Sequence, residues 1–195
     1  MGSSFSSVHI KISDLELVKE SLTLLHKEKV DDNIIVMGKY KYFYCKSKEW
    51  ITLLNEMYDG YFLDFATILS KYLSAPMLVI ECFDESNLEM NFIQNGVVLA
   101  KHNKDDEDDF DITEVDEDIT SEALRNQWEN SETIIKSFDL KIHENELNKV
   151  FELNDIEETI SLLEELLKID IWVKVDWIED DEELKSKFIS LTFEE

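Results

Sequence analysis

Hydrophobic residues recur at two spacings in the first third of the chain, and the two spacings predict different elements. Apolar side chains at every second position predict a strand at residues 8–12, and short apolar or β-prone segments predict strands at 34–37, 40–46 and 50–54. Apolar side chains three and four positions apart predict amphipathic helices at residues 15–26 and 62–73. A capping box from Ser13 to Glu16 predicts where the first helix begins, and Pro76 follows the end of the second.

Three adjacent strands are predicted in the middle of the chain. The apolar residues 77–83 are followed by a polar turn, and two further β-prone segments occupy 88–94 and 97–101. Asn95-Gly96 separates the last two, and this pair is typical of a type I′ hairpin turn because both central residues need positive φ. The pattern therefore predicts an antiparallel three-strand meander.

The carboxyl-terminal part is predicted to contain two helices followed by two strands. The predicted order is a helix beginning at Thr120, a helix after a cap at 154–157, a strand at 169–177 and a strand at 188–193. The strand at 169–177 is predicted from the most regular apolar–polar alternation in the sequence. An acidic stretch at 180–183 interrupts the pattern before the last strand.

These elements favour an α+β fold, mainly an antiparallel sheet with a central three-strand meander and about four helices. The length of 195 residues favours a single α+β domain, 1–195. The alternative is two sub-lobes, 1–104 and 119–195, joined by an acidic connection.

That connection, residues 105–118, is called the acidic segment below. It contains ten carboxylates and no basic residue, in a chain whose net charge is −26. Residues 151–195 are the other strongly acidic part, whereas residues 1–104 are close to neutral. Such a charge repels nucleic acid and anionic membranes and attracts basic proteins. The alternative explanation of the acidity is solubility alone.

The acidic segment interleaves carboxylates with apolar side chains, which predicts a protein-binding surface that mimics a phosphate backbone. Trp172 is added as a candidate hot spot and the acidic stretch near 180 as a flanking patch. The candidate partner-binding residues are Asp105, Asp106, Glu107, Asp108, Asp109, Phe110, Asp111, Glu114, Asp116, Glu117, Asp118, Trp172, Asp180 and Asp181.

No motif for catalysis or cofactor binding is present in the sequence. Isolated glycines cannot build a phosphate-binding loop, and the four histidines lack zinc-ligand spacing. The acidic segment fails as an EF-hand loop because Phe110 stands at the glycine position and Asp116 at the position of the bidentate glutamate. We therefore predict a non-enzymatic protein with no cofactor and no metal site.

Cellular location is predicted from the cysteines and from the hydropathy pattern. Cys45 and Cys82 are far apart in predicted strands, which favours reduced, buried thiols. No apolar stretch is long enough to span a membrane, and no signal peptide is evident. These features predict a cytoplasmic protein.

The segment 71–84, KYLSAPMLVIECFD, continuing to FIQNG at 92–96, resembles small acidic α+β proteins of Gram-positive bacteria. Some of these resemble immunity proteins that neutralise polymorphic or contact-delivered toxins. The resemblance implies an immunity or antitoxin-type protein that binds a basic toxin domain, such as a nuclease, and it carries over no site residues.

Two other functions stay open from the sequence. The first is a small regulatory or adaptor protein that binds a partner through an apolar groove and uses its acidity only for solubility. The second is an enzyme that acts through scattered carboxylates, which a deep pocket with convergent carboxylates would favour.

Overall fold

A computed structural model describes residues 4–28, 41–55, 62–105 and 131–193. Within these ranges the chain forms a seven-stranded antiparallel sheet of order β6-β5-β4-β1-β3-β2-β7. The strands are β1 (Phe5–Ile10), β2 (Lys41–Lys46), β3 (Ile51–Asn55), β4 (Met77–Phe83), β5 (Asn87–Gln94), β6 (Val97–Asp105) and β7 (Ile189–Thr192). The predicted α+β class with a mainly antiparallel sheet is confirmed.

Helices cover both faces of this sheet. The described helices are α1 (Leu15–Glu28), α2 (Phe62–Leu73), α3 (Ser131–Ser137), α4 (Glu144–Glu152), α5 (Ile156–Leu167), α6 (Val175–Asp180) and α7 (Glu182–Lys187). The first two pack on one face, which we call the α1/α2 face. The other five pack on the opposite face, with α3, α4 and α5 over one half and α6 and α7 over the other. None of the described helices is long and apolar enough to cross a membrane.

The interior strand β4 explains why helices are needed on both faces of the sheet. Its side chains alternate between the two layers: Met77 and Val79 join the core under α1 and α2, whereas Leu78 and Ile80 join the core under α3 to α5. All four side chains are 0% exposed. A strand buried on both faces has a nearly continuous apolar sequence rather than an alternating one. Residues 77–83 have such a sequence, apart from Glu81.

The three strands of the predicted meander are adjacent as β4, β5 and β6, but they form one edge of the sheet rather than its centre. The tight turn between β5 and β6 has the expected backbone. Asn95 and Gly96 have φ values of 52° and 76°, as a type I′ turn requires. The Gly96 amide also donates a 2.7 Å hydrogen bond to Oγ of Ser70 in α2, which ties the hairpin to the helix beneath it.

The predicted strand at 169–177 is wrong. Ile169, Ile171 and Val173 are buried, so the alternation correctly marks which side chains face the core. None of the seven described strands pairs with this segment, and the Val173 amide donates a hydrogen bond to the Ile171 carbonyl in a tight turn. The chain then enters helix α6 at Val175 instead of continuing as a strand.

Other predictions differ from the structure in detail. The side chain that caps α1 is Asp14 rather than Ser13, because its Oδ1 accepts from the amides of Glu16 and Leu17. Three short helices, α4, α6 and α7, were not predicted, so the described ranges hold seven helices rather than about four. The predicted strand at 34–37 and the predicted helix start at Thr120 lie outside the described residues. The last strand, β7, pairs with β2, so both ends of the described chain contribute to one sheet.

The buried side chain of His9, in the middle strand β1, forms hydrogen bonds that link β1 to β3. The imidazole of His9 lies 2.8 Å from Oγ of Ser7 through Nε2 and 2.9 Å from Oγ1 of Thr52 through Nδ1. His9 is fully buried, and this burial lowers its pKa from 6.5 to about 3. The ring is therefore neutral in the folded protein at neutral pH, and it stabilises the β1–β3 pairing by hydrogen bonds rather than by charge.

Replacing Gly96 tests the backbone requirement of the hairpin turn. We expect Gly96→Ala to lower the free energy of unfolding by about 1–2 kcal/mol, because a side chain disfavours positive φ. Gly96→Asn should cost less, since asparagine tolerates this conformation. Both new Cβ atoms would meet the side chain of Lys71, so the same pair made in a Lys71→Ala background removes that contact. Equal costs for alanine and asparagine in urea unfolding would contradict the explanation.

The buried His9 predicts a specific loss of stability in acid. Its folded pKa of about 3 lies below its ordinary value of 6.5, so only the unfolded chain binds a proton as the pH falls below 6.5. The stabilisation is complete above pH 6.5 and is lost as the pH falls toward 3. We expect His9→Gln to be less stable at neutral pH, but to lose about 2 kcal/mol less between pH 7 and pH 5 than the unmodified protein. If His9→Gln and the unmodified protein lose the same stability between these two pH values, this role of His9 is refuted.

Candidate partner-binding site

Trp172 is held in place by a carboxylate from the neighbouring helix. Oε1 of Glu164 in α5 accepts hydrogen bonds from the amides of Ile171 and Trp172, at 2.6 and 3.0 Å. These bonds replace the partner strand that the extended segment lacks. The indole ring packs against Phe5 at the start of β1, with 5.3 Å between ring centroids and a 48° tilt. The side chain remains half-buried, so part of the ring faces outward from a fixed position.

A concavity of about 410 Å³ opens beside Trp172, and we call it the Trp172 pocket. Its lining consists of Glu85, Asn154, Asp155, Ile156, Glu157 and Trp172. The three carboxylates are exposed, and among the described residues no lysine or arginine lines the pocket. An aromatic ring surrounded by carboxylates is suited to a cation, which the ring attracts through its π face and the carboxylates by charge.

Local sequence explains how two of these carboxylates are positioned. Asp155 is the N-cap of α5, and its Oδ1 accepts a 2.7 Å hydrogen bond from the amide of Glu158. Glu157 lies in the first turn of the same helix and projects into solvent. Acidic residues are favourable at a helix N-terminus because they offset the partial positive charge of the free amides. Asp155 and Glu157 can therefore stabilise α5 and line the pocket at the same time.

The third carboxylate comes from the turn between β4 and β5. Glu85 has a φ of 61°, and its neighbour Asp84 has a φ of 53°. The Asp84 amide donates a 3.0 Å hydrogen bond to Oγ of Ser4, which joins this turn to the start of β1. The turn is thereby fixed at the same end of the sheet as Phe5 and Trp172.

The acidic segment begins next to this pocket. Asp105, its first residue, pairs with Asn87 at the end of β5, two positions from Glu85. The preceding residue, Lys104, is 8% exposed, and its ammonium donates a 3.1 Å hydrogen bond to the carbonyl of Phe151 and a second bond to that of Leu153. Those carbonyls close the C-terminal end of α4, and Asn154 and Asp155 of the pocket come next in the chain. Burial lowers the pKa of Lys104, and the two carbonyls satisfy its ammonium.

The predicted site residues are only partly described. Trp172 lines the pocket, and Asp105 ends β6 beside it. The other predicted members of the acidic segment lie outside the described residues: Asp106, Glu107, Asp108, Asp109, Phe110, Asp111, Glu114, Asp116, Glu117 and Asp118.

Asp180 and Asp181 lie elsewhere, at the junction of α6 and α7. These helices pack over β2 and β3, in a core separate from the one that contains Phe5 and contacts Trp172. Neither Asp180 nor Asp181 lines the Trp172 pocket. The Asp181 carboxylate also caps α7, accepting from the amides of Glu183 and Leu184 at 2.7 and 3.0 Å. The structure does not bring this pair to the Trp172 pocket.

Three pocket carboxylates were missed as site residues, although the sequence shows why they are there. The DESN stretch at 84–87 indicates a turn and the NDIE stretch at 154–157 indicates a helix cap, and both were interpreted only as structure. Their proximity depends on the sheet order and on the packing of α5, which no local pattern reveals.

A further group of polar side chains lies on the α1/α2 face. Glu81 and Glu89 stand directly opposite one another on β4 and β5. Glu89 pairs with Lys101 at 2.8 Å and accepts a 2.7 Å hydrogen bond from Nδ2 of Asn91. Like charges opposite each other across a sheet are unfavourable, and the Lys101 ammonium offsets this cost. The Glu81 carboxylate was missed because it lies within the apolar segment 77–83.

The cysteines and the His143–Glu146 pair are the remaining groups with catalytic potential. Both cysteines are free and buried, and burial raises the pKa of Cys82 to about 11, so its thiol is protonated at neutral pH. His143 and Glu146 form a capping box, with the His143 amide donating to the Glu146 carboxylate at 2.7 Å. Within the described ranges, no three His, Cys, Asp or Glu side chains are grouped to hold a metal ion.

Removing the Glu164 carboxylate should release Trp172 and its neighbours. We expect Glu164→Ala to lower the free energy of unfolding by about 1–3 kcal/mol, because two amides, one of them belonging to buried Ile171, lose their acceptor. Glu164→Gln keeps an acceptor oxygen and should cost less. Glu165→Ala is the matched control, since this neighbour on α5 is exposed and should change stability by less than about 0.5 kcal/mol. Urea unfolding measures all three; a Glu164→Ala effect as small as that of the control would contradict the proposed bonds.

Comparisons with protein families, with curated proteins and with solved structures found no match to this chain. What the Trp172 pocket binds is therefore inferred from its own residues, their geometry and their charge.

Proposed function

We propose that this chain is a non-enzymatic immunity or antitoxin-type protein that binds and neutralises a basic toxin domain. The observation that carries the proposal is the Trp172 pocket. It combines a fixed aromatic ring with three exposed carboxylates, at the end of the sheet where the chain enters the acidic segment.

The pocket suits a lysine or arginine side chain of the partner. A cation over the face of an indole ring is stabilised by about 0.5–2 kcal/mol, more when water is excluded. Glu85 and Glu157 line the same pocket and add attraction by charge. Lys174, the nearest base along the chain, lies over Trp177 at 5.4 Å from its ring centroid and does not line the pocket.

The overall charge would bring such a partner to the pocket quickly. The chain carries −26, and ten of its carboxylates lie in the acidic segment. Oppositely charged surfaces raise association rates from about 10⁵–10⁶ to 10⁸ M⁻¹s⁻¹ or more at low salt. An inhibitor of a toxic enzyme benefits from speed, because the toxin acts until it is bound. Occupation of a basic cleft by carboxylates also excludes an anionic substrate such as nucleic acid.

The first experiment is co-expression with a toxic protein encoded beside this chain. We expect growth to be restored and the two proteins to co-purify at a fixed ratio. Failure to bind or neutralise any basic toxin domain encoded nearby would refute the proposal.

Charge reversal in the pocket tests the surface itself. We expect Glu157→Lys and Glu85→Lys each to weaken binding of that toxin domain by about tenfold or more, because each opposes an incoming cation. The matched control is Glu158→Lys, which makes the same change in the same turn of α5 but does not line the pocket. Stopped-flow association and equilibrium binding separate the local effect from general loss of charge. Equal weakening by all three variants would assign the effect to net charge and not to the pocket.

A regulatory or adaptor protein that binds an apolar partner is the second candidate. Leu17 and Leu24, seven positions apart on α1, are 47% and 46% exposed and form an outward apolar stripe. Binding through this stripe should survive high salt and be lost in Leu17→Ser with Leu24→Ser. Binding through the Trp172 pocket should weaken as salt screens the charges.

A further inference from the structure

A second concavity lies at the opposite end of the sheet and has the opposite charge. Its volume is about 230 Å³, and four lysines line it: Lys11, Lys48, Lys141 and Lys168. Glu49 is the one carboxylate among the described residues of its lining, and we call this site the lysine pocket. The chain has a net charge of −26, so four lysines around one small depression make a locally positive site on an acidic protein.

Internal contacts hold two of the four ammonium groups in place, those of Lys11 and Lys141. Lys11 Nζ lies 2.6 Å from Glu49 and 5.1 Å from the centroid of the Trp50 ring, and its side chain is only 14% exposed. Lys141 Nζ lies 2.5 Å from Asp139 at the rim. The hydrogen bond and charge of Lys11 lower the pKa of Glu49, and the charges of Lys48 and Lys141 lower it further. Lys11 and Lys141 come from distant parts of the chain, and both line the pocket with Glu49.

The charges do not cancel. Four lysines less Glu49 and Asp139 leave a net charge of +2 around the depression. The Lys168 position also suits the C-terminus of α5, where a cation offsets the partial negative charge of the free carbonyls. That explanation does not extend to Lys11 or Lys48, which are held near β1 and in the β2–β3 turn.

The remaining wall of the pocket is apolar. Leu140, Ile142 and Leu166 line it, and the last two are half-buried hydrophobic side chains. A site for inorganic anions alone would not need this wall, whereas an anion with an apolar body would contact both parts. The volume is below that of pockets for drug-sized ligands, so the ligand is small.

We propose that the lysine pocket binds a small organic phosphate monoester. The phosphate group lies among the ammonium groups of Lys48, Lys141 and Lys168, and the apolar body contacts Leu140, Ile142 and Leu166. A phosphate monoester carries a charge of about −1.5 to −2 at neutral pH, which matches the +2 of the surroundings. Lysine is a common phosphate ligand in proteins.

This site is independent of the partner surface. Helix α5 has its N-terminus at the Trp172 pocket and its C-terminus at the lysine pocket. Its twelve residues separate the two by about 18 Å. Loss of one activity therefore leaves the other measurable.

Isothermal titration calorimetry with three probes tests the proposal on the full chain. Phenyl phosphate is expected to bind with one site per chain and a Kd of about 1 mM or below. Inorganic phosphate lacks the apolar body, and phenylacetate lacks the second negative charge, so both should bind at least about fivefold more weakly. No heat of binding from phenyl phosphate at about 10 mM would overturn the proposal. Equal affinity for inorganic phosphate or for phenylacetate would overturn the ligand class.

Variants locate the binding. Lys48→Glu with Lys168→Glu should weaken phenyl phosphate binding by about tenfold or more. The matched control is Lys149→Glu with Lys27→Glu, two exposed lysines on α4 and α1 that lie outside the pocket. Equal weakening by the two pairs would assign binding to general charge and overturn the site. Because all four side chains are exposed, urea unfolding should show folded proteins, and Lys48→Gln with Lys168→Gln provides a milder pair if it does not.

Discussion

Burial of the central strands on both faces is the constraint on which this structure depends. β4 lies between β1 and β5, and its side chains enter two separate cores. A sheet of this kind needs a helical layer on each side, because one layer would leave half of these apolar side chains in water. The layer of α1 and α2 comes from the first half of the chain. The other layer comes from residues 131–188, so the carboxyl-terminal third is part of the core.

The same constraint locates the two pockets. Helix α5 must lie across the sheet to cover β4 and its neighbours, and its two ends consequently reach the two ends of the strands. Its capping residue, Asp155, lies near the β4–β5 turn, and Lys168 lies near the β2–β3 turn. The polarity of α5 accounts for part of this charge, since Asp155 and Glu157 suit its N-terminus and Lys168 its C-terminus, whereas the other charged lining residues come from other elements.

Much of the fold was predictable because the spacing of apolar residues is regular in most strands and long helices. Strands that pair with their neighbour in sequence also need only a short turn, which the sequence marks. The meander and its Asn95-Gly96 turn are examples, and so are α1, α2 and α5. The segment 169–177 failed for a physical reason: alternation reports which side chains are buried, and it does not report what bonds the amides. There a side chain, Glu164, serves as the acceptor that a strand would otherwise supply.

The candidate site was less predictable than the fold. Trp172 was identified from its flanking charges, but Glu85, Asp155 and Glu157 come from segments that are distant in sequence. Only the sheet order and the docking of α5 bring them together. Short helices such as α6 and α7 were also missed, because six residues are too few to show a helical period.

The buried lysine at the end of β6 has a consequence for how the two acidic surfaces act together. Lys104 fastens β6 to the end of α4, so the chain leaves the sheet close to Asn154 and Asp155 of the Trp172 pocket. The carboxylates that follow are tethered to that point by covalent connection. For a basic protein already held at the pocket, contact with the tethered carboxylates is an intramolecular event, with an effective concentration set by the tether and not by the amount of protein in solution. Two individually modest contacts then dissociate only when both are open at once, and residence time exceeds what either would give alone.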